Sequence, residues 1–325
     1  MISRVTRMLL LIQAIVGLAI VWMVLQFFRI GNIWLAVALA LALVLTVRFG
    51  ITVNNFMMAW RHRSPLPDDC ALGWTDMLRL VLGEYLATMW SSSWTMPFFR
   101  VERHVAAQAH GLPVLLIHGY GCNSGYWRSM SRALERAGIS HHAVDLEPVF
   151  GSIDAYADLV DRAVERLRTE TGSDKVVIVA HSMGGLATRA YMRAHGDSRI
   201  ARAITLGTPH HGTALARHGI GENTLQMGWT PGGEQGTASE WLRKLAESEP
   251  PSRRALFVSI FSHHDNIISP QMSSWLPGAR NVELHGIGHV ALALHPRVQS
   301  LVIEEVLAAA GDGVREQAAR RASAG

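Results

Sequence analysis

The spacing of apolar positions divides the chain into unlike parts. Residues 8–28 carry no charge. After the short break Arg29-Ile30-Gly31-Asn32, a second apolar run covers 33–47 and extends past Arg48 to about residue 53. At about 1.5 Å of rise per residue, some 20 such residues cross the roughly 30 Å hydrocarbon core of a bilayer. Two transmembrane helices, a hairpin over 1–55, are therefore expected. A single uncleaved anchor is an alternative, and a cleaved signal peptide another, although the first run is long for a signal and a second follows directly. Arg48 is expected to snorkel to the headgroups.

Residues 56–105 form a junction. Within it, Leu78, Val81, Leu82, Tyr85, Leu86 and Met89 recur at helical spacing behind Thr75-Asp76, which predicts an amphipathic helix over Trp74–Trp90. The tryptophans at 60, 74, 90 and 94 suit a helix lying in the bilayer interface. A helix packed on the following domain fits the same pattern.

From about Leu112 the pattern changes to short β-branched runs alternating with helical stretches. Strands are expected at 113–117, 141–145, 175–180, 201–206, 255–261 and 281–284, with helices at 126–138, 153–169 and from Met183 onward. Alternation of this kind predicts an α/β domain, over 106–312, whose mostly parallel sheet is covered by helices on both faces. Residues 214–251 interrupt the series with glycines at 228, 232, 233 and 236 and an amphipathic piece around Trp241. They read as a lid insertion or as an ordered excursion with no gating role. Residues 313–325 read as a polar tail.

Composition and charge narrow the class of function. The chain is 49% hydrophobic and only 17% charged, and the excess lies in the first 60 residues, so the remainder has the make-up of an ordinary globular domain. The net charge of +4 is spread over scattered arginines without a basic, aromatic-interleaved block, which argues against nucleic acid as a partner. Arg4 and Arg7 precede the first apolar run, Arg48, Arg61 and Arg63 follow the second, and the turn holds only Arg29; the positive-inside rule then puts both ends in the cytoplasm. Two cysteines, Cys70 and Cys122, make neither a disulfide framework nor a metal motif.

The candidate chemistry centres on Val176-Val-Ile-Val-Ala-His-Ser182-Met-Gly-Gly185. A buried strand runs into a serine flanked two residues either side by Ala180 and Gly184, and then into a helix. Small residues at those positions let strand and helix approach closely, which leaves the serine hydroxyl exposed on a sharp turn. The strand ending at 117 leads into His118-Gly119-Tyr120-Gly121. The backbone N–H groups of Tyr120 and Met183 are the candidates for an oxyanion hole, with His118 in a structural role. A serine nucleophile needs a base, and the base an orienting acid. Asp265 lies just beyond one predicted strand, and His289 on a glycine-flanked loop beyond the last. His285 rivals His289 but sits closer to the strand end. His263 and His264 with Asp265 are a weak metal candidate, because adjacent residues in extended chain point to opposite faces. Cys122 has no activating partner in view, and Glu283 reads as an outward charge.

Taken in order, HGYG, AHSMGG, TLGTPHHGT, HHDNIISP and GIGH resemble bacterial triacylglycerol lipases and related esterases of the α/β-hydrolase superfamily over about residues 110–310. The resemblance implies the α/β-hydrolase fold, a Ser182–Asp265–His289 triad, and ester cleavage through an acyl-enzyme without a cofactor or catalytic metal. Some relatives hold a structural calcium near the histidine loop, and no acidic cluster here supports one. With the hairpin added, the expectation is a serine hydrolase in the bacterial inner membrane acting on lipid-like esters from the cytoplasmic side. A thioesterase, a small-ester carboxylesterase and a non-catalytic membrane scaffold are the alternatives.

Overall fold

The computed structural model describes residues 1–27, 31–101, 103–232 and 236–323. Phe28 at the end of the first apolar run, Arg29 and Ile30 of the expected turn, and Gly233 of the excursion lie outside them. Seven strands form one sheet: β1 (Arg103–His104), β2 (Val114–Ile117), β3 (His141–Val144), β4 (Val176–His181), β5 (Ile200–Leu206), β6 (Phe257–Ser262) and β7 (Arg280–Leu284). Their order is β1-β3-β2-β4-β5-β6-β7, and every pairing is parallel except that of β1 with β3. The six strands expected from sequence are all present, within two residues at each end. β1 was not anticipated, since two residues carry no periodicity.

Side chains of β4 alternate between two cores, as a strand buried on both faces requires. Val176, Ile178 and Ala180 face helices α5 (Ala157–Thr171) and α6 (Met183–His195), where Val160, Val164, Leu186 and Tyr191 are buried. Val177 and Val179 face the opposite way, onto Met130 and Leu134 of α4 (Arg128–Arg136) and Val298 and Val302 of α8 (Pro296–Ser323). Residues 313–323, expected as a tail, continue α8 as helical backbone.

Two helices precede this domain, α1 (Ile2–Gln26) and α2 (Ile33–Trp60), both long and apolar enough to cross a membrane. Asn32 caps α2, its side-chain oxygen accepting from the N–H groups of Trp34 and Leu35. The start of α1 and the end of α2 both touch the α/β domain. Asn123 Nδ2 donates to Ser3 Oγ at 2.9 Å, and Ser269 Oγ donates to the Ala59 carbonyl at 2.7 Å. Arg48 turns inward rather than out to solvent. Its guanidinium donates to Gln13 Oε1 at 3.3 Å and Ser93 Oγ at 2.7 Å, and it also reaches Ser92, so side chains of neighbouring helices satisfy the charge.

The third helix, α3 (Trp74–Trp90), continues through a π turn, Ser91–Thr95, to Phe98. Its buried face is Leu80, Glu84, Ala87 and Ser91, whereas Trp74, Leu78, Leu82, Leu86, Trp90, Trp94 and Phe98 form an exposed apolar stripe. This inverts the polarity of a helix in a soluble protein, where the charge lies outward. One face of this segment packs on the protein, and the other presents a continuous apolar surface.

The described residues of the excursion at 214–251 are folded. Leu242 and Leu245 of α7 (Glu240–Glu247) are buried, and Tyr120 Oη donates to the Ile220 carbonyl at 2.9 Å. Its far end is pinned by Glu249, which takes Arg189 of α6 in a bidentate pair (Nε–Oε1 2.7 Å, Nη2–Oε2 2.6 Å), while Arg189 Nη1 reaches the His210 carbonyl at 3.1 Å. Both side chains are buried. Removing one member of such a pair strands the other charge, at a cost of about 3–5 kcal/mol. Glu249→Ala should therefore lower the thermal unfolding midpoint in detergent markedly. An unchanged midpoint would show that the pair does not hold the excursion down.

Candidate active site

β4 delivers Ser182 to a sharp turn before α6. The serine has φ 56° and ψ −127°, the only positive φ at a non-glycine among the described residues. Such a conformation costs on the order of 1–3 kcal/mol and persists where its surroundings fix it. Here Ser182 N–H donates to the Leu206 carbonyl and Thr208 Oγ1 donates to the Ser182 carbonyl, each at 2.9 Å. The small residues of the motif are needed for space: a Cβ at Gly184 would lie 2.4 Å from the Ile117 carbonyl oxygen. Ala180, on the strand side, is fully buried.

The HGYG segment lies against this turn, since a Cβ at Gly119 would fall 2.7 Å from Ser182 Cβ. Tyr120 is thereby placed next to the serine. Met183 opens α6, where N–H groups have no intrahelical acceptor and the helix end is electropositive. His118 is structural: it accepts from the Leu146 N–H at 3.1 Å through Nε2, and its Nδ1 lies 2.9 Å from the Gly119 carbonyl.

Asp265 and His289 come together in a buried pair, Oδ2 to Nδ1 at 2.7 Å. The other carboxylate oxygen accepts from the N–H groups of Ile267 (2.8 Å) and Ile268 (2.7 Å). An ionised carboxylate only accepts, so the proton of the pair sits on Nδ1 and Nε2 is the basic nitrogen. Burial alone would depress the His289 pKa, but the Asp265 carboxylate outweighs it by charge and hydrogen bond, with a smaller push from Glu84, and the net shift is upward. The segment Leu206–Thr208 connects the pair to the serine. Leu206 and Thr208 bond to Ser182, and a Cβ on Gly207 (φ 55°) would lie 3.0 Å from Asp265 Oδ2 and 3.3 Å from His289 Nδ1. The Ser182 hydroxyl itself makes no hydrogen bond among the described residues. Catalytic contacts of this kind often close only around substrate.

The other candidates are taken up elsewhere. His285 is exposed, while His289 is buried and paired. His263 Nε2 pairs with Glu283 at 2.7 Å, and His264 Nδ1 accepts from the Gly286 N–H at 3.2 Å, so the two rings serve different partners. Glu283 is exposed as expected, yet it anchors His263. Burial pushes the Cys122 thiol up to about 12, which leaves it protonated. An apolar cavity of about 630 Å³ lies behind the acid loop, between Phe56 and Met57 of α2 and Leu80 and Val81 of α3, with Asp265 in its wall. Ser182 does not line it.

Four residues at the site were not anticipated. Gly207 lies close against the Asp265–His289 pair, Asn266 Oδ1 accepts from the His289 N–H at 3.0 Å, and His181 Nε2 lies 3.0 Å from the His289 carbonyl. Glu84 reaches the same loop from α3. Only Gly207 left a signal, the small residue within TLGTP.

Residues 113–228 match the family model described as alpha/beta hydrolase fold. A triacylglycerol lipase of Pseudomonas fragi is 28% identical over 125 residues, 37% of this chain and 40% of that protein. A triacylglycerol lipase of Pseudarthrobacter phenanthrenivorans is 30% identical over 113 residues, 32% of this chain and 35% of its own. The mature Bacillus licheniformis lipase BlEst2 superposes with a TM-score of 0.53 at 16% identity, over 62% of this chain and 95% of that one. The α/β domain of this chain has the α/β-hydrolase fold. Its matched segment spans about 40% or less of the length of those curated relatives.

Gly207→Ala would force a methyl into the gap beside the pair, against Leu292 (2.8 Å), Asp265 and His289, at a positive φ. Displacements of about 1 Å at a reacting centre can cost 10²-fold in rate. We expect kcat on a short-chain ester to fall by about that factor in a protein that still unfolds cooperatively. Native turnover in a folded variant would show that the gap is not constrained.

Proposed function

We propose that the protein is a membrane-anchored serine hydrolase that cleaves lipid-like carboxylic esters through an acyl-enzyme on Ser182. The observation that carries this reading is the strained, strand-to-helix serine set beside a buried Asp265–His289 pair. Neutral Nε2 of His289 takes the hydroxyl proton as Ser182 Oγ bonds to the ester carbonyl carbon. The N–H groups of Met183 and Tyr120 bind the resulting oxyanion, each such donor contributing about 10²–10³ in rate. The imidazolium, stabilised by Asp265, then protonates the departing alcohol. Water attacks the acyl-enzyme by the same route in reverse, releasing the acid and restoring Ser182. No step calls for a cofactor.

The lipid character of the substrate rests on where the site sits. Two relatives are named triacylglycerol lipases. The two long apolar helices and the exposed stripe of α3 fit a hairpin across the bilayer with α3 in its interface, which raises the local concentration of lipid esters. Arg4, Arg7, Arg61 and Arg63 at the ends nearest the α/β domain favour a cytoplasmic position for it.

The test is hydrolysis of p-nitrophenyl esters by detergent-solubilised protein, native and Ser182→Ala, across pH. Loss of the nucleophile should bring turnover down by about 10⁶-fold, to background. Because neutral His289 is the active form and its pKa is raised, kcat/KM should fall as pH drops through a midpoint above the ordinary histidine value of about 6.5. Undiminished turnover in Ser182→Ala, or a profile flat through that range, would overturn the proposal.

A further inference from the structure

Glu84 stands on the buried face of α3, 1% exposed, in a helix whose other side is the apolar stripe. Burying a carboxylate is costly unless it is hydrogen-bonded or paired. Its two oxygens accept from the N–H groups of Val290 (Oε1, 2.9 Å) and Ala291 (Oε2, 3.0 Å), the two residues that follow His289. On the other side of the histidine, Gly288 leaves the space: a Cβ there would lie 2.5 Å from Glu84 Oε2. One side chain from the segment before the α/β domain thus holds the histidine loop just after the base and lies close against it just before. No cation pairs with Glu84 among the described residues, and the positive charge that the reaction creates beside it is the His289 imidazolium.

The same segment holds the acid. Ser64 N–H donates to Gln271 Oε1 at 3.0 Å, Gln271 Nε2 donates to the Asp265 carbonyl at 2.9 Å, and Ser269 is tied to Ala59. Resting on the reading of His289 as general base, we propose that Glu84 is a positioning residue of the catalytic centre, fixing the His289 loop through its backbone and stabilising the imidazolium through its charge. The segment next to the membrane hairpin is then part of the active site as well as a tether.

A structural role alone would leave the pH profile in place, so the profile separates the two. Besides Glu84, the groups facing His289 are Asp265 and His181, and Tyr126 lies against the same loop through a 3.0 Å bond to the Val290 carbonyl. Burial holds His181 neutral and Tyr126 protonated. Burial raises the Glu84 pKa, and the two backbone N–H groups oppose that rise by favouring the charged form.

The experiment compares Glu84→Gln and Glu84→Asp in the full chain in detergent, with native protein and Ser182→Ala alongside. We expect Glu84→Gln to lose about 10- to 10²-fold in kcat with little change in KM, and its acid limb to move to lower pH, because a negative charge beside the imidazolium is gone. Glu84→Asp keeps the charge on a shorter arm, so kcat should fall while the acid limb stays near native. A folded Glu84→Gln with native kcat and an unmoved limb would overturn the proposal. If Glu84→Gln does not fold, native kcat in Glu84→Asp would overturn it instead. Hydrolysis by the native chain and none by Ser182→Ala keeps the hydrolase reading intact whichever way the Glu84 variants fall. Absence of native hydrolysis would count against that reading first.

Discussion

An aspartate and a histidine buried 2.7 Å apart set the terms for the rest of this molecule. Taking a carboxylate out of water carries a penalty of several kcal/mol unless hydrogen bonds replace the lost hydration. Asp265 meets that requirement with two backbone N–H groups and the imidazole. Each of those donors must in turn be held, and the surrounding structure follows from that need. The acid loop is fixed through Gln271, Ser269 and Thr213, and the histidine loop through Asn266, His181, Tyr126 and Glu84. These partners come from the sheet, from the loop after β5 and from the segment that follows the two N-terminal apolar helices, so the pair ties all three parts together.

The nucleophile turn obeys a different constraint, one of space. β4 and α6 can meet at Ser182 only because the residues around it are small, and because Leu206 and Thr208 hold its peptide groups in a conformation that a serine does not choose by itself. The two constraints meet at Gly207, which leaves room for the pair while its chain neighbours Leu206 and Thr208 hold Ser182.

What could be read from sequence follows the range of the interactions. Strands β2 to β7 and the elbow were legible because their patterns are local: short β-branched apolar runs, small residues at fixed spacing, and an acid and a histidine just past strand ends. Glu84 was not, since its partners lie more than 200 positions away and a single acid on an apolar helix looks like a solvated charge. The periodicity of α3 was legible, but it left open whether the apolar stripe faces inward or outward; in the fold the stripe points out and Glu84 points in. Arg48 misled for the same reason: an arginine near the end of an apolar run suggests snorkelling, and Gln13, Ser92 and Ser93 became its partners only through the packing of three helices. His285 and His289 differ by four positions; the nearness of His285 to the strand end favoured His289 in the sequence, and the fold leaves His285 exposed while burying His289.

The central claim is that Ser182 is an activated nucleophile. It is tested most directly by treating the detergent-solubilised chain with a fluorophosphonate and locating the adduct by peptide mass spectrometry. Phosphonylation at Ser182, abolished by heat unfolding beforehand, is the expected result. A folded protein that takes up no label, or takes it up at another residue, would contradict the claim.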